Sequence, residues 1–285
     1  MIKKYIYLRK NFKQYLRAEK KARAAILPIK QGKIPVIVHT MGQVGSTTLE
    51  RSLKQDASLA VFHTHFLSKS GIKNNWITET NNFKSKRIPY HLLEVNRLRR
   101  VLKNLPQRDI YIISSVRDVI ARQISSLYKL PTIAEKNIQD EQGQANSQLV
   151  SKFFNEFVLK RPNFFHYPLN WFDKEVKACF DIDVFEHSFD PEQGYVIIRK
   201  GNVNLLVLHM EKIDALMPTV ISEFLSVENS LTSIRSNVQQ NSTYKDAVSN
   251  VKIPNEILDR VYSSKLMAHF YSEEKRIEFK KRWNI

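Results

Sequence analysis

The chain has 285 residues, 42% of them hydrophobic and 11% aromatic, enough for one substantial core and too few for two independent domains. Its single cysteine, Cys179, excludes an intrachain disulfide and any cysteine-based zinc cluster; no run approaches the roughly 18 apolar residues of a membrane span and no secretory signal opens the chain, so a cytoplasmic protein is expected. The formal net charge of +17 is uneven, with 11 Lys and Arg against one Glu in residues 1–33, and it points to anionic partners.

Residues 1–33 form the first segment. Tyr5, Leu8, Phe12, Tyr15 and Leu16 recur at helical spacing, which predicts a basic amphipathic helix. Such a helix can lie on an anionic membrane at the inner face, or pack on the domain with its cationic face in water. No nucleic-acid recognition motif accompanies the charge, and no nucleic acid is expected as a partner. Residues 34–285 read as a single α/β domain.

Ile34-Pro35-Val36-Ile37-Val38 reads as a buried parallel strand. His39-Thr40-Met41-Gly42-Gln43-Val44-Gly45-Ser46-Thr47-Thr48 follows it, and Leu49 to Leu53 reads as a helix opened by hydroxyl residues suited to capping. Strand, tight glycine turn, then helix start is the geometry of an anion cradle, in which free N–H groups and the positive helix end face one point. It is not the triphosphate motif: two residues separate Gly42 from Gly45, and no lysine follows. An ordinary strand–helix turn with a capping serine is the alternative.

Leu59 to His63 reads as a second short strand. A polar loop follows with Lys69, Lys73, Lys84 and Lys86, and then a helix over His91 to Leu105. Ile110 to Ser114 is the next strand, with Arg117 at its carboxyl end, and Val119 to Tyr128 reads as a helix that carries Arg122 and Ser125. An arginine fork and a hydroxyl make a second phosphate site reasonable there. Residues 136–151 look like a polar surface excursion. Lys152 to Lys160 and Asn170 to Phe180 read as helices, Tyr195 to Arg199 and Val203 to His209 as a hairpin, and Asn255 to Trp283 as a helical end. The alternation predicts a parallel α/β sheet flanked by helices, with a helical C-terminal part and ligands at the strand carboxyl ends.

Together the two phosphate-like segments resemble the sulfotransferases that use 3′-phosphoadenosine-5′-phosphosulfate (PAPS). The details are most similar to bacterial capsular polysaccharide synthesis proteins of sulfotransferase-like type: the His-Thr-Met-Gly-x-Val-Gly-Ser opening, Val116-Arg117-Asp118-x-Ile120-Ala121-Arg122, Asn170-Trp171-Phe172-Asp173 and His269-Phe270-Tyr271-Ser272. The resemblance implies a P-loop-like fold in which Gly42, Gln43, Val44, Gly45, Ser46, Thr47 and Thr48 hold the 5′-phosphosulfate. It implies that Arg117 and Ser125, eight residues apart, hold the 3′-phosphate, with Arg122 touching that phosphate or pairing with Asp118. It also implies PAPS as sulfuryl donor, a glycan or cell-surface polysaccharide precursor as acceptor, and an EC 2.8.2-type activity.

Sulfuryl transfer needs a base for the acceptor proton, and His63-Thr64-His65, just past the second strand, supplies candidates. His65 is preferred over His63, with Glu94 a lesser candidate. Gln43 stands where many sulfotransferases carry a cation to meet charge on the leaving oxygen; its neutral hydrogen bond is roughly half as strong as a charge-assisted one. Arg199 and Lys200 are candidates for the missing cation. His39 is expected to bond a loop carbonyl, and Trp171 to fill the core. No ligand set has metal-like spacing, so no metal is expected. Two other readings stand beside the enzyme: a degenerate protein that only binds an anionic nucleotide or polysaccharide, which Gln43 favours, and a P-loop-type phosphotransferase.

Overall fold

The computed structural model describes residues 2–105, 107–128, 146–160, 164–235 and 251–284. Helices α1 (Ile2–Lys10), α2 (Phe12–Ala25) and α3 (Leu27–Lys30) precede β1 (Ile34–His39). The single helix expected over 1–33 is therefore three. After β1 come α4 (Ser46–Leu53), β2 (Leu59–Thr64), α5 (Lys69–Glu79), α6 (Tyr90–Lys103), β3 (Ile110–Val116) and α7 (Val119–Tyr128). The hairpin β4 (Tyr195–Lys200) and β5 (Val203–His209) completes the sheet.

The strand order is β2-β1-β3-β5-β4, with all neighbours parallel except β4 against β5. This is the helix-flanked α/β sheet that the sequence predicts, parallel throughout except for the edge strand β4. β1, β3 and β5 are buried along nearly their whole length, as inner strands covered on both faces must be. Alternation divides their side chains between two cores. Val36, Val38, Ile113, Leu206 and Leu208 meet Leu49 and Leu53 of α4 on one face. Ile37, Ile112, Leu205 and Val207 meet Trp171, Phe172, Phe270 and Trp283 on the other.

The chain leaves β1 to form β2 on one side and then crosses to form β3 on the other. The carboxyl end of β1 is thus a topological switch point, where adjacent connections diverge and leave a crevice. His39, Thr64, Val116 and His209 end their strands at this one edge.

Three segments differ from the sequence reading. Residues 69–79, expected within a polar loop, form α5, because Ser68 caps the helix by accepting the Gly71 amide at 2.9 Å and Trp76 is buried. The expected helix over 170–180 is largely a π-helical turn, Phe172–Lys177, which widens the backbone and turns Glu175 inward. The C-terminal helix is broken into Asn255–Tyr262, Lys265–Phe270 and Glu273–Trp283, with Ser264 and Ser272 capping the second and third. The polar excursion expected at 136–151 lies outside the described residues up to 145, and the helix Ser147–Lys160 begins within it.

Asp118 ties the C-terminal part to the sheet. It accepts hydrogen bonds from the Ile120 amide (3.0 Å), the Tyr262 hydroxyl (2.9 Å) and the Trp283 indole (2.8 Å). Its bond to the Ile120 amide caps the start of α7, and Phe279 and Trp283 pack in the core.

Candidate active site

The turn between β1 and α4 bends through three residues in the left-handed region. Gly42, Gln43 and Gly45 all have positive φ (82°, 59° and 82°). For Gln43 this costs on the order of 1 kcal/mol unless the surroundings hold it there. The surroundings do. Four consecutive carbonyls of the turn each accept a hydrogen bond from the side chains of β3 and α7. Arg122 Nη2 donates to Met41 O (2.7 Å) and Nε to Gly42 O (3.2 Å). Arg117 Nη1 donates to Gln43 O (3.1 Å), and Ser115 Oγ to Val44 O (2.6 Å).

A trans peptide points its C=O and the following N–H in opposite directions, and no peptide here is cis. Pulling carbonyls 41–44 toward β3 and α7 therefore turns the amides of 42–45 to the other side. Gly42 N lies 3.4 Å from Thr40 Oγ1; the amides of 43–47 meet no protein acceptor among the described residues. Successive free N–H groups in such a turn form an anion-binding concavity, and the first turn of α4 adds its positive end. The helix is capped by Gly45 in the left-handed region with no side-chain bond, so Ser46 and Thr47 do not act as the expected caps. Gly45 must also be small: an added Cβ would lie 2.5 Å from Ile213 and 3.0 Å from Met210.

Arg117 and Ser125, eight residues apart in sequence, are brought together: the same Nη1 that reaches Gln43 O lies 3.1 Å from Ser125 Oγ. Arg122 is placed differently from the expectation. It neither pairs with Asp118 nor stands clear for a phosphate; it holds the turn from behind, and also bonds Gln123 Oε1. Burial lowers its pKa to about 10, which leaves it charged at neutral pH.

His65 sits against the turn. Its Nδ1 is 2.8 Å from Thr40 O, and its ring is 3.4 Å from where a Cβ on Gly42 would be. His63 stands edge-on to it, with ring centroids 4.9 Å apart. His63 Nδ1 is 2.8 Å from Glu50 Oε2 on α4, and that hydrogen bond is the main reason the Glu50 carboxyl is held down at about 2. Each ring has Nδ1 facing an acceptor, so in the neutral form the proton sits there and the Nε2 lone pair is the basic one. Glu50 was not foreseen, and nothing in the sequence marks it: the pairing depends on β2 lying beside β1. Glu94, the carboxylate offered instead, lies on α6.

The segment carrying His65 is clamped from the opposite side of the sheet edge. Trp171 Nε1 donates to His65 O (3.2 Å), and Tyr167 reaches the same oxygen (3.4 Å). Glu175 accepts from the amides of Leu67 (2.7 Å) and Ser68 (2.8 Å) and from Ser68 Oγ (3.0 Å). Burial raises the Glu175 pKa while these bonds oppose it. Trp171 is fully buried, as expected of a core residue. His39 is buried too and bonds Thr64 O (3.2 Å) rather than a carbonyl of the turn. Burial lowers its pKa to about 3, so it is neutral, and its Nε2 stands 3.9 Å from Glu175 Oε2, beyond hydrogen-bond reach.

Residues 146–272 match the family model described as "Putative capsular polysaccharide synthesis protein". No curated protein and no solved structure matches the chain. The matched region contains Tyr167, Trp171 and Glu175, the clamp on the His65 segment, and the β4–β5 hairpin. The turn 40–45, both histidines, Arg117 and Ser125 precede it.

One further expectation is corrected. Arg199 and Lys200 sit where β4 turns into β5, and Val203 pairs with Ile110 at the start of β3. They lie at the end of the sheet opposite the turn, and Lys200 pairs with Asp181 at 2.5 Å, so neither supplies a cation beside Gln43. Cys179 is pushed up to about 12 by burial and is a packing thiol. Among the described residues no cluster of His, Cys, Asp or Glu could hold a metal ion, and no helix is long and apolar enough to cross a membrane.

Proposed function

We propose that this protein transfers the sulfuryl group of PAPS to a hydroxyl of a glycan, with a capsule or other cell-surface polysaccharide precursor as the acceptor class. The observation that carries the reading is the pinning of carbonyls 41–44 by Arg122, Arg117 and Ser115, which leaves a row of unbonded amides in the turn that His65 packs against, with Arg117 and Ser125 paired at the same strand end. The match to a capsule-synthesis family supports the acceptor class.

In this reading the amides of 43–47 bind the 5′-phosphosulfate, and Arg117 with Ser125 binds the 3′-phosphate. The acceptor oxygen attacks sulfur in line while the bond from sulfur to the bridging oxygen breaks. The acceptor proton passes to Nε2 of His65 or His63, and adenosine 3′,5′-bisphosphate leaves with the bonding pair. Amides aimed at the sulfuryl and bridging oxygens stabilise charge that grows as the bond breaks. Gln43 donates a neutral hydrogen bond where a cation would be stronger, so the amide row and the positive end of α4 carry that task.

Gln43 also favours a second reading, a protein that binds the nucleotide or an anionic polysaccharide without turnover. Calorimetry with adenosine 3′,5′-bisphosphate and with ATP tests the site: preference for the bisphosphate is expected, and preference for ATP would support a phosphotransferase. Incubation with sulfur-labelled PAPS and capsular oligosaccharides then separates the two remaining readings. Labelled glycan is the expected product; tight bisphosphate binding with no transfer and no sulfate release would leave the binding protein.

A further inference from the structure

The amphipathic pattern of residues 1–33 resolves into two apolar faces. Leu8 and Tyr15 turn inward with Tyr7, Ala18 and Ala22, packing on Trp76, Ile88, Leu92 and Leu93 of the α5–α6 region. Tyr7 donates to Arg87 O, and Glu19 pairs with Arg97 of α6. This inner face accounts for how the helices are held. It leaves Tyr5, Phe12 and Leu16 outside, exposed to 69%, 56% and 50%.

α1 and α2 meet at Asn11, whose backbone (φ −109°, ψ 27°) leaves the helical region. Within α2 the steps 12, 16, 20, 23 are each three or four residues and run along one side of the helix, so Phe12 and Leu16 share a face with Lys20 and Arg23. On α1 Tyr5 stands one turn from Arg9 in the same way, so on both helices exposed apolar side chains lie beside cations. Every Lys and Arg from Lys3 to Lys30 is exposed. The only acidic residue of the segment, Glu19, is turned to the inner face by Tyr15 and Arg97.

We infer that the outer face of α1 and α2 docks on an anionic lipid bilayer. A convex helix with an apolar ridge flanked by cations suits an interface where acyl chains lie just beneath negative headgroups. An anionic polysaccharide would engage the cations but gives no reason to hold two aromatic rings and a leucine in water. The inference uses residues remote from the proposed sulfuryl-transfer site and stands independently of that function.

Sedimentation of the full chain with phosphatidylcholine vesicles, and with vesicles containing one part phosphatidylglycerol to three, tests it. Binding is expected only to the anionic vesicles, and it should weaken as salt rises from 0.1 to 0.5 M because the screening length shrinks. The double variant Phe12→Ser/Leu16→Ser should bind about ten-fold or more weakly. The triple variant Arg9→Gln/Lys13→Gln/Lys20→Gln should bind about two orders of magnitude more weakly. All five positions are exposed, and an unchanged thermal unfolding midpoint checks that each variant is folded. Equal binding to both vesicle types, or to neither, overturns the inference. So does a Phe12→Ser/Leu16→Ser protein that binds anionic vesicles as the wild type does, and capture by heparin unaffected by that variant while vesicles fail would assign the face to a polysaccharide.

Discussion

Nδ1 of His63 lies 2.8 Å from Oε2 of Glu50, joining edge strand β2 to the first helix after the turn. The carboxylate fixes the tautomer and steadies the imidazolium that forms when Nε2 takes a proton. His65 has a carbonyl, Thr40 O, in the same position, which orients the ring but carries no full charge. Glu50→Gln should lower sulfuryl-transfer kcat by roughly 10–100-fold with bisphosphate affinity unchanged if His63 is the base. His65→Ala should lower it by roughly 10²–10⁴-fold if the base is His65. Steady-state kinetics of the two variants decide between the rings; wild-type turnover in both would remove the base from this pair.

Arg117 and Arg122 touch the same turn but should respond differently. Both are partly buried, but Arg122 supports two carbonyls, so Arg122→Ala leaves both without a donor and should destabilise the fold by about 2–4 kcal/mol. Arg117 makes one bond to the turn. Arg117→Ala should weaken adenosine 3′,5′-bisphosphate binding by about 1.5–3 kcal/mol, with a smaller loss of stability. Urea unfolding and calorimetry on both variants measure the contrast, and unchanged bisphosphate affinity in Arg117→Ala would withdraw Arg117 from the site.

Gly71 is held small by a carboxylate. A Cβ there would sit 2.1 Å from Glu175 Oε1 and 3.0 Å from Ser68 Oγ. Its φ is not in the left-handed region, so alanine would ordinarily favour the helix; here the clash opposes it. Gly71→Ala should destabilise by about 2–4 kcal/mol, because displacing Glu175 orphans the amides of Leu67 and Ser68 in a buried site. A thermal melt showing a stabilised variant would refute the Glu175 clamp.

His39 predicts an acid-side loss of stability. Burial lowers its folded-state pKa to about 3, so between the ordinary 6.5 and about 3 the unfolded chain binds a proton that the folded chain does not. Stability must then fall as pH falls through that window, by up to about 1.4 kcal/mol per pH unit. Between pH 7 and 5 the wild type should lose about 2 kcal/mol more than His39→Leu, which has nothing there to titrate. Urea unfolding at the two pH values measures this, and parallel losses would show that His39 is not held neutral.

How much of this was legible in sequence depends on the range of the interactions. β5 and α7 fall where periodicity places them, and β1 and β3 within one or two residues, because their apolar patterns are local and strong. The pairing of Arg117 with Ser125 was legible for the same reason: eight residues separate them across one strand–helix junction. α5 was not, since its sequence is polar and its start is stabilised by Ser68 together with Glu175, a residue 107 positions away. The outward turn of Phe12 and Leu16, against the inward turn of Tyr15, was equally hidden, because all three satisfy a helical repeat and only the position of α6 separates them.

By itself the sequence determined an α/β sheet with its glycine turn at a strand end, since hydrophobic alternation and glycine's backbone freedom act within a few residues. Tertiary structure alone decided what that turn can do. The direction of its amides follows from three side chains of β3 and α7 that grip its carbonyls, and Glu50 reaches His63 only because β2 lies at the sheet edge beside α4. Hydrogen bonds formed across the sheet carry no periodic signature in the chain, so their partners become visible only when the strands are ordered.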